Sequence, residues 1–445
     1  MNKLCFTLIF AFVFSVASRG QNNAPKIIET TPEFGDCQVD PQLEEIVIRF
    51  DQDMGKLYSV TNSPNMPEIT GKPVWKDQRT LVLPVKLERD RFYDLNFNSI
   101  KYQGFRSEKG VALDSDQLLF LTIGERTKAP NKKSFQQFTD VFPGRYSYAN
   151  IQGVDWQKEI DNYKTVLENA ESVDEFVVKL IQLLRKSQDP HMSVKANEQI
   201  YPINRMKIVH LNFGSKALFG QLQNKFVGNR YSTIAGTIDS TAYLSIRSWS
   251  SNFFEIPQKK WGNTANNVIS SQELLKTLFK YPNLIIDVRE NSGGDEQFAM
   301  EFASWFTADP LPYEKTVTYN MQTGTFNAER IKTIFPNSEG LLYTGNVYVL
   351  AGPKVMSSNE SFVLMMQQLP NVKVVGMPTY GSSGNPLPYE LANGVTVYLP
   401  SWLAYTIDGK LIEGNGIEPD VLIETKDGDF QNSDVVVDAV LKMIE

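Results

Sequence analysis

The stretch KVMSSNESF (354–362) sets two serines, Ser357 and Ser358, between an apolar run and an apolar helical pattern. A serine at such a junction has two readings. As a helix N-cap, its hydroxyl accepts a backbone N–H of the first turn, which is the commonest use of serine there. As a nucleophile, it exploits the unpaired N–H groups and the dipole of the helix start, which stabilise an oxyanion. A hydroxyl alone is a poor nucleophile and needs an adjacent base. The chain has only two histidines, His191 and His210, so candidates for that base are few. His191 follows Pro190 on a loop past a helical pattern, where the residue before proline disfavours helix. His210, in KIVHLNF, reads as mid-strand and structural. A second junction, DVRENSGGD (287–295), carries Gly293 and Gly294, whose N–H groups can approach a ligand closely. A plain strand-to-helix turn has the same composition.

The elements that must position these groups follow from periodicity. Residues 25–124 read as all-β: EIVIRF (45–50) alternates Ile46, Ile48 and Phe50, and TLVLPV (80–85), YDLNFN (93–98) and LLFLTI (118–123) continue the series. Turn-rich segments separate them, as in a small β-sandwich. A polar linker, GERTKAPNKKS (124–134), leads into helical patterns at 154–170 and 172–187. In the second, Ser172 and Glu175 fit a capping box, and Phe176, Val177, Leu180, Ile181 and Leu184 form one apolar stripe. Beyond residue 201, LIIDVR, VYVLAG, VKVVG and VTVYLPS read as strands of one α/β core, with helices over 296–306 and 358–369. In such a core functional groups collect at the carboxyl ends of the strands. Both NSGG and MSSNE fall there.

Several ordered motifs carry a resemblance. NLIIDVRENSGGDEQFAMEFASWF, VYVLAGPKVMSSNESFVLMMQQLPNVKVVGMPTYGSSG and LPSWLAYTIDGKLIEGNGIEPDVLIE resemble, in order and spacing, the C-terminal processing (tail-specific) serine peptidases. Relatives of that family include the tricorn protease core and the interphotoreceptor retinoid-binding proteins. The resemblance covers most of 283–425, and DWQKEI with EFVVKLIQLLRKSQDPH extends it back to the start of the helical region, at 135. It implies a crotonase/ClpP-like α/β peptidase core. TPEFGDCQVDPQLEEIVIRFDQDM with FLTIGE, for its part, resembles the bacterial Ig-like modules that precede exported enzymes.

The family pattern T-x-S-x-x-E implies Ser357 as nucleophile and Glu360 as its glutamate, with Val355 in the threonine's place. It implies the Ser358 N–H as one oxyanion donor and Gly293 or Gly294 as the other. Many members use a lysine just after a T-x-G element. In TYGSSG (379–384) that place is held by Ser382, and Lys373 lies in a strand on the wrong side of Thr379. The tricorn-like branch uses the histidine of D-x-H, which QDPHMS (188–193) matches with His191. Pro190 and Met192 stand where that branch has a small residue and a threonine. The family's acidic element is IEGNGIEPD (412–420). Glu413, entering the glycine turn, is preferred to Glu418 as the orienting carboxylate.

Composition bounds the rest. With 445 residues, 42% hydrophobic and 21% charged, the chain is of ordinary globular composition and long enough for several domains. The expected division is 1–20 signal peptide, 25–124 Ig-like sandwich, 135–200 helical segment and 201–445 α/β peptidase core. Lys3 followed by LCFTLIFAFVFSVA (4–17) reads as an export signal, shorter than the about 20 residues of a spanning helix. Cys5 opens that run and does not follow it, which disfavours a lipid anchor. Losing residues 1–20 removes Lys3 and Arg19 and moves the net charge from −7 to −9. That balance disfavours nucleic acid or an anionic membrane as partner. Cys37 alone remains, so no internal disulfide forms.

The expected function is an exported (periplasmic or secreted) serine peptidase acting on a peptide or protein substrate through Ser357, His191 and Glu413, without metal or other cofactor. The Ig-like module is expected to be a spacer or to dock to the core or a partner. About fifty residues separate His191 from AYLSIRSW (242–249), and they lack the glycine-rich carboxylate-binding loop of a PDZ domain. Tail recognition by such a domain is therefore not expected. The other reading is a binding protein for a peptide or apolar ligand on a retired peptidase core, favoured by Val355, Pro190 and Met192.

Overall fold

A computed structural model describes residues 24–445 except 62, 229–231, 251–254, 261–262 and 427, and backbone only for 255–260 and 263–272. The export-signal reading of residues 1–20 lies outside the described residues.

The period-two stretches of the N-terminal region form two sheets. One is ordered β1 (Ile27–Thr31), β3 (Glu45–Phe50), β7 (Thr80–Lys86), β5 (Glu68–Ile69), with β6 (Val74–Trp75) also on β7; the other is β2 (Asp36–Val39), β9 (Asp116–Thr122), β8 (Phe92–Phe97), β4 (Val60–Thr61). Ile46, Ile48 and Phe50 are fully buried and meet Leu95, Phe97, Leu118 and Phe120 from the other sheet in one cluster. The alternate residues of β9, Leu119 and Leu121, face away from that cluster and pack on the helical segment. A strand covered on both faces reads as a continuous apolar run, here Leu118 to Leu121 within DQLLFLT.

Three helices follow: α1 (Asn131–Arg145), α2 (Trp156–Glu168) and α3 (Val173–Leu184). The Ser172 hydroxyl caps α3 by accepting the Glu175 N–H at 3.1 Å, and Glu175 reaches back to the N–H of Glu171, one residue beyond the box partner expected. After α3 the chain turns through a short 3₁₀ segment, Arg185–Ser187, and a left-handed Gln188 before reaching His191. The helical region gives way at once to the hairpin β10 (Ser193–Ala196) and β11 (Gln199–Pro202). That hairpin joins a four-stranded sheet with β25 (Thr396–Pro400) and β24 (Pro386–Glu390). VTVYLPS is thus a strand, but of this separate sheet and not of the core. KIVHLNF departs further: His210 lies in an irregular segment, tied down by side chains such as Asn212, which donates to the Ala351 carbonyl at 2.9 Å. Alternation gives that segment the look of a strand, but among the described residues no strand pairs with it.

The core is a nine-stranded sheet in the order β16 (Asn263–Ser270), β15 (Glu255–Lys260), β12 (Gln223–Val227), β13 (Thr233–Ile238), β14 (Thr241–Ile246), β17 (Asn283–Asp287), β22 (Asn346–Ala351), β23 (Val372–Gly376), β27 (Val421–Leu422). From β14 onward the strands are parallel. Parallel sheets need cover on both faces. Leu284 and Ile286 of β17 face α5 (Ser271–Leu278), α6 (Glu296–Ala303) and α7 (Ser358–Gln367), while Ile285 faces α4 (Ser215–Gln221) and α8 (Val435–Ile444). Behind α7 lies a smaller sheet of β21 (Arg330–Ile334), β18 (Leu311–Val317) and β26 (Leu403–Thr406), beside the short pair β19 (Tyr319–Asn320) and β20 (Thr325–Phe326). Among the described residues no helix is long and apolar enough to cross a membrane.

Candidate active site

The carboxyl ends of β17 and β22 feed two turns that face each other. After β17, Arg289 is fully buried between Asp287 and Asp434, at 2.6 and 2.9 Å, which ties this turn to the start of α8. The next residues form the glycine turn. The Gly293 N–H is taken by the side chain of Asn291 at 2.8 Å. The N–H of Gly294 has no acceptor among the described residues. Both glycines have positive φ, 111° and 141°, and neither site has room for a Cβ: at Gly293 it would meet Ser357 Cβ at 3.0 Å, and at Gly294 the Trp249 carbonyl at 2.1 Å.

After β22, Ser357 occupies the N-cap position of α7 but does not cap it: its hydroxyl makes no bond to the first turn. Its backbone has φ 57° and ψ −135°, a conformation open mainly to glycine. The Ser358 N–H is unpaired among the described residues, and the Ser358 hydroxyl donates to the Gly294 carbonyl at 3.0 Å. Asn359 locks the two turns together. It accepts from the Trp249 indole at 3.0 Å and donates to the carbonyls of Val288 and Asn291 at 3.1 and 2.9 Å. Ser357, Ser358, Gly293 and Gly294 therefore share one rigid corner.

A third loop, 379–383, closes over it. Glu360 of α7 is fully buried and accepts from the Thr379 hydroxyl and the Gly381 and Ser382 N–H groups at 2.5, 2.7 and 3.0 Å. Burial lifts its carboxyl to about 8, against the pull of those donors. Ser382 sits at the crossing point. Its carbonyl accepts the Ser357 N–H at 2.7 Å, and its hydroxyl lies 2.7 Å from His191 Nδ1. His191 is further held by its own N–H, which donates to Asp189 at 2.8 Å. Its Nε2 is buried with no partner among the described residues, and burial pushes the imidazole down to about 4. Ser357 and His191 make no direct hydrogen bond; Ser382 is what joins them.

Glu413 lies on the other side of the same loop, where it accepts the Ser383 N–H at 3.0 Å. It makes no hydrogen bond to His191. Burial pushes its carboxyl up to about 8, and the nearby Asp189 adds to the shift. Tyr146, fully buried, donates to Asp189 at 3.2 Å. Glu418 is exposed and Lys373 faces outward from β23, so neither joins the corner. Composition and spacing gave no sign of Asp189 as the anchor of His191, or of Ser382 as its ring partner. The aspartate of D-x-H and the serine in the lysine's place were the available signals.

Residues 240–423 match the profile of Peptidase family S41. The matched segment contains the glycine turn, Ser357, loop 379–383 and Glu413. The chain carries an S41 peptidase region. This is the C-terminal processing family that the ordered motifs resemble, and its members are serine-type hydrolases. His191 lies N-terminal to the matched S41 segment and reaches its loops only through the fold. No curated protein matches the chain. Among solved structures, a candidate peptidase from Parabacteroides merdae is 20% identical at a TM-score of 0.57, covering 72% of this chain and 97% of its own. The likeness is one of fold. A lipoprotein from Streptococcus agalactiae (15% identical, TM-score 0.46, 72% and 98% covered) and the photosystem II D1 C-terminal processing protease (14%, 0.41, 66% and 93%) are more distant.

Proposed function

We propose that the chain is an exported serine peptidase that hydrolyses peptide bonds with Ser357 as nucleophile, His191 as general base and acid, and Glu413 as the buried carboxyl that steadies the loop between them. Ser357 attacks the scissile carbonyl; His191 Nε2 takes its proton and returns it to the leaving amine. The N–H groups of Ser358 and Gly294 receive the oxyanion. Of the two glycines Gly294 suits that role, because the Gly293 N–H is already taken by Asn291. One observation carries the reading: an N-cap serine held at positive φ that leaves its hydroxyl uncapped beside two N–H groups unpaired among the described residues. A base and nucleophile without a direct hydrogen bond are compatible with a free site, since such bonds tighten in the substrate complex.

The test is a fluorophosphonate probe with site identification by mass spectrometry. Adduct on Ser357, absent in Ser357→Ala, is the expected outcome. A folded wild type that takes no probe would return the chain to the binding-protein reading.

A further inference from the structure

The partner of His191 Nδ1 is not a carboxylate. We propose that Ser382 is the positioning residue of His191, holding the neutral ring in the tautomer that carries its proton on Nδ1. The choice of tautomer rests on the peptidase reading above; the contact between Ser382 and the ring does not.

Three observations converge on Ser382, which is fully buried. Its hydroxyl is 2.7 Å from His191 Nδ1, and its carbonyl accepts the Ser357 N–H at 2.7 Å. Its N–H is fixed by Glu360 at 3.0 Å, and the following N–H by Glu413 at 3.0 Å. Two carboxyl groups from different elements thus hold the loop segment that touches both histidine and serine. The fourth atom to consider is His191 Nε2, buried without a partner among the described residues. A proton there would be a buried N–H without an acceptor among the described residues, but a proton on Nδ1 leaves the buried Ser382 hydroxyl hydrogen in the same position, so burial alone does not choose between the tautomers. The peptidase reading makes the choice: a proton on Nδ1 donates to Ser382 Oγ and leaves the Nε2 lone pair free. That is the tautomer a general base needs. Where lysine-type members carry their base, this chain carries a hydroxyl that aims a base from elsewhere.

The proposal reorders the roles in the site. Glu413 acts on the loop backbone through Ser383, and Ser382 acts on the ring. A hydroxyl offers a dipole and no charge, so it orients the imidazole without raising its basicity as a carboxylate would. A base left in this form remains neutral in mildly acidic solution.

Two histidines in the chain make a direct test practical. Protein labelled with ¹⁵N-histidine is recorded at pH 7.5 in long-range ¹H–¹⁵N spectra, with His210→Gln to identify the second ring. The expected result is a protonated Nδ1 and a bare Nε2 on His191, moving toward the opposite tautomer in Ser382→Ala and restored in Ser382→Thr. In parallel, the fluorophosphonate rate should fall by about 10²-fold in Ser382→Ala, the loss typical of a misaimed catalytic group, and recover with threonine. A wild-type ring protonated on Nε2, or a tautomer unchanged in Ser382→Ala, overturns the proposal. So does Ser382→Ala reacting at the rate of a reactive wild type. If Ser382→Ala does not fold, Ser382→Cys, a similar volume with a weak acceptor, gives the same readout. A wild type that takes no probe refutes the peptidase reading instead, and the tautomer result then decides the role of Ser382 by itself.

Discussion

Acid should be tolerated by this site to an unusual degree. His191 begins from an ordinary value of 6.5 and burial depresses it to about 4. The difference is worth about 3 kcal/mol of preference for the neutral ring. A group depressed in this way stabilises the fold above its unfolded value, and that contribution is lost as pH falls from 6.5 through 4. Reactivity follows the same ring. An unperturbed imidazole would be neutral in about one molecule in ten at pH 5.5, whereas at the depressed value more than about nine in ten remain competent. The fluorophosphonate rate of the wild type should therefore change less than about twofold between pH 7.5 and 5.5, and fall only toward pH 4. Intrinsic fluorescence of the buried Trp156 and Trp249 would report any unfolding over the same range. His191→Gln should react slowly at every pH, without that limb. Burial also lifts Asp189, on the His191 backbone N–H, to about 6, so a midpoint near 6.5 with about tenfold loss by pH 5.5 that persists in Asp189→Asn would refute the burial argument. It would mean that the ring is wetter, or charged by a closer carboxylate, than the geometry around Ser382 allows.

Other perturbations separate chemistry from stability. Ser357→Gly should be inert toward the probe yet more stable by about 1 kcal/mol in urea denaturation, because the side chain no longer opposes a glycine-like backbone; equal or lower stability would count against that strain. Gly293→Ala should fold and react poorly, its new methyl pressing on Ser357 Cβ from 3.0 Å. Gly294→Ala should lose soluble yield, because the atom it meets at 2.1 Å is the Trp249 backbone. Reversed phenotypes would contradict the packing of this corner. Arg289→Met leaves Asp287 and Asp434 buried without their cation and should cost about 3–5 kcal/mol, read as a lowered urea midpoint; a loss under about 1 kcal/mol would mean the pair is not sealed from water.

What could be read from the sequence was what local forces decide. The stripe and cap of α3 depend on residues within a few positions of each other, and so do the alternating strand β3 and the apolar runs β17 and β22. The ordered motifs likewise brought out Ser357 and the glycine pair. Long-range partners were beyond such reading. Thr396–Pro400 alternates like any strand, and only its pairing with β10 assigns it to the outer sheet. His210 sits among alternating residues whose backbone joins no ladder among the described residues. Ser382 looked like a lysine's absence, because its contact with His191 spans 191 positions and needs α3, α7 and loop 379–383 in place together. The burial of Asp189 and Glu360, which lifts their carboxyls, is a property of the assembled loops and of no single segment.

The two strand–turn–helix units of the core supply an internal control. In the first, Asp295 stands at the N-cap of α6 and does what that position favours, accepting the Gln297 N–H at 3.0 Å. In the second, Ser357 stands at the equivalent place on α7 and declines the bond. The missing cap costs about 1 kcal/mol, and the positive φ about 1–3 more. A helix start with those handicaps would fray unless something else held it. Asn359 and Glu360, both fully buried, supply the missing restraint with three hydrogen bonds each to neighbouring turns and loops. Restraint borrowed from the following two residues frees the serine hydroxyl and the Ser358 N–H together. A merely structural serine needs neither the strain nor the substitute anchors. The contrast between Asp295 and Ser357 is therefore what the proposed nucleophile role of Ser357 calls for and the needs of the helix do not.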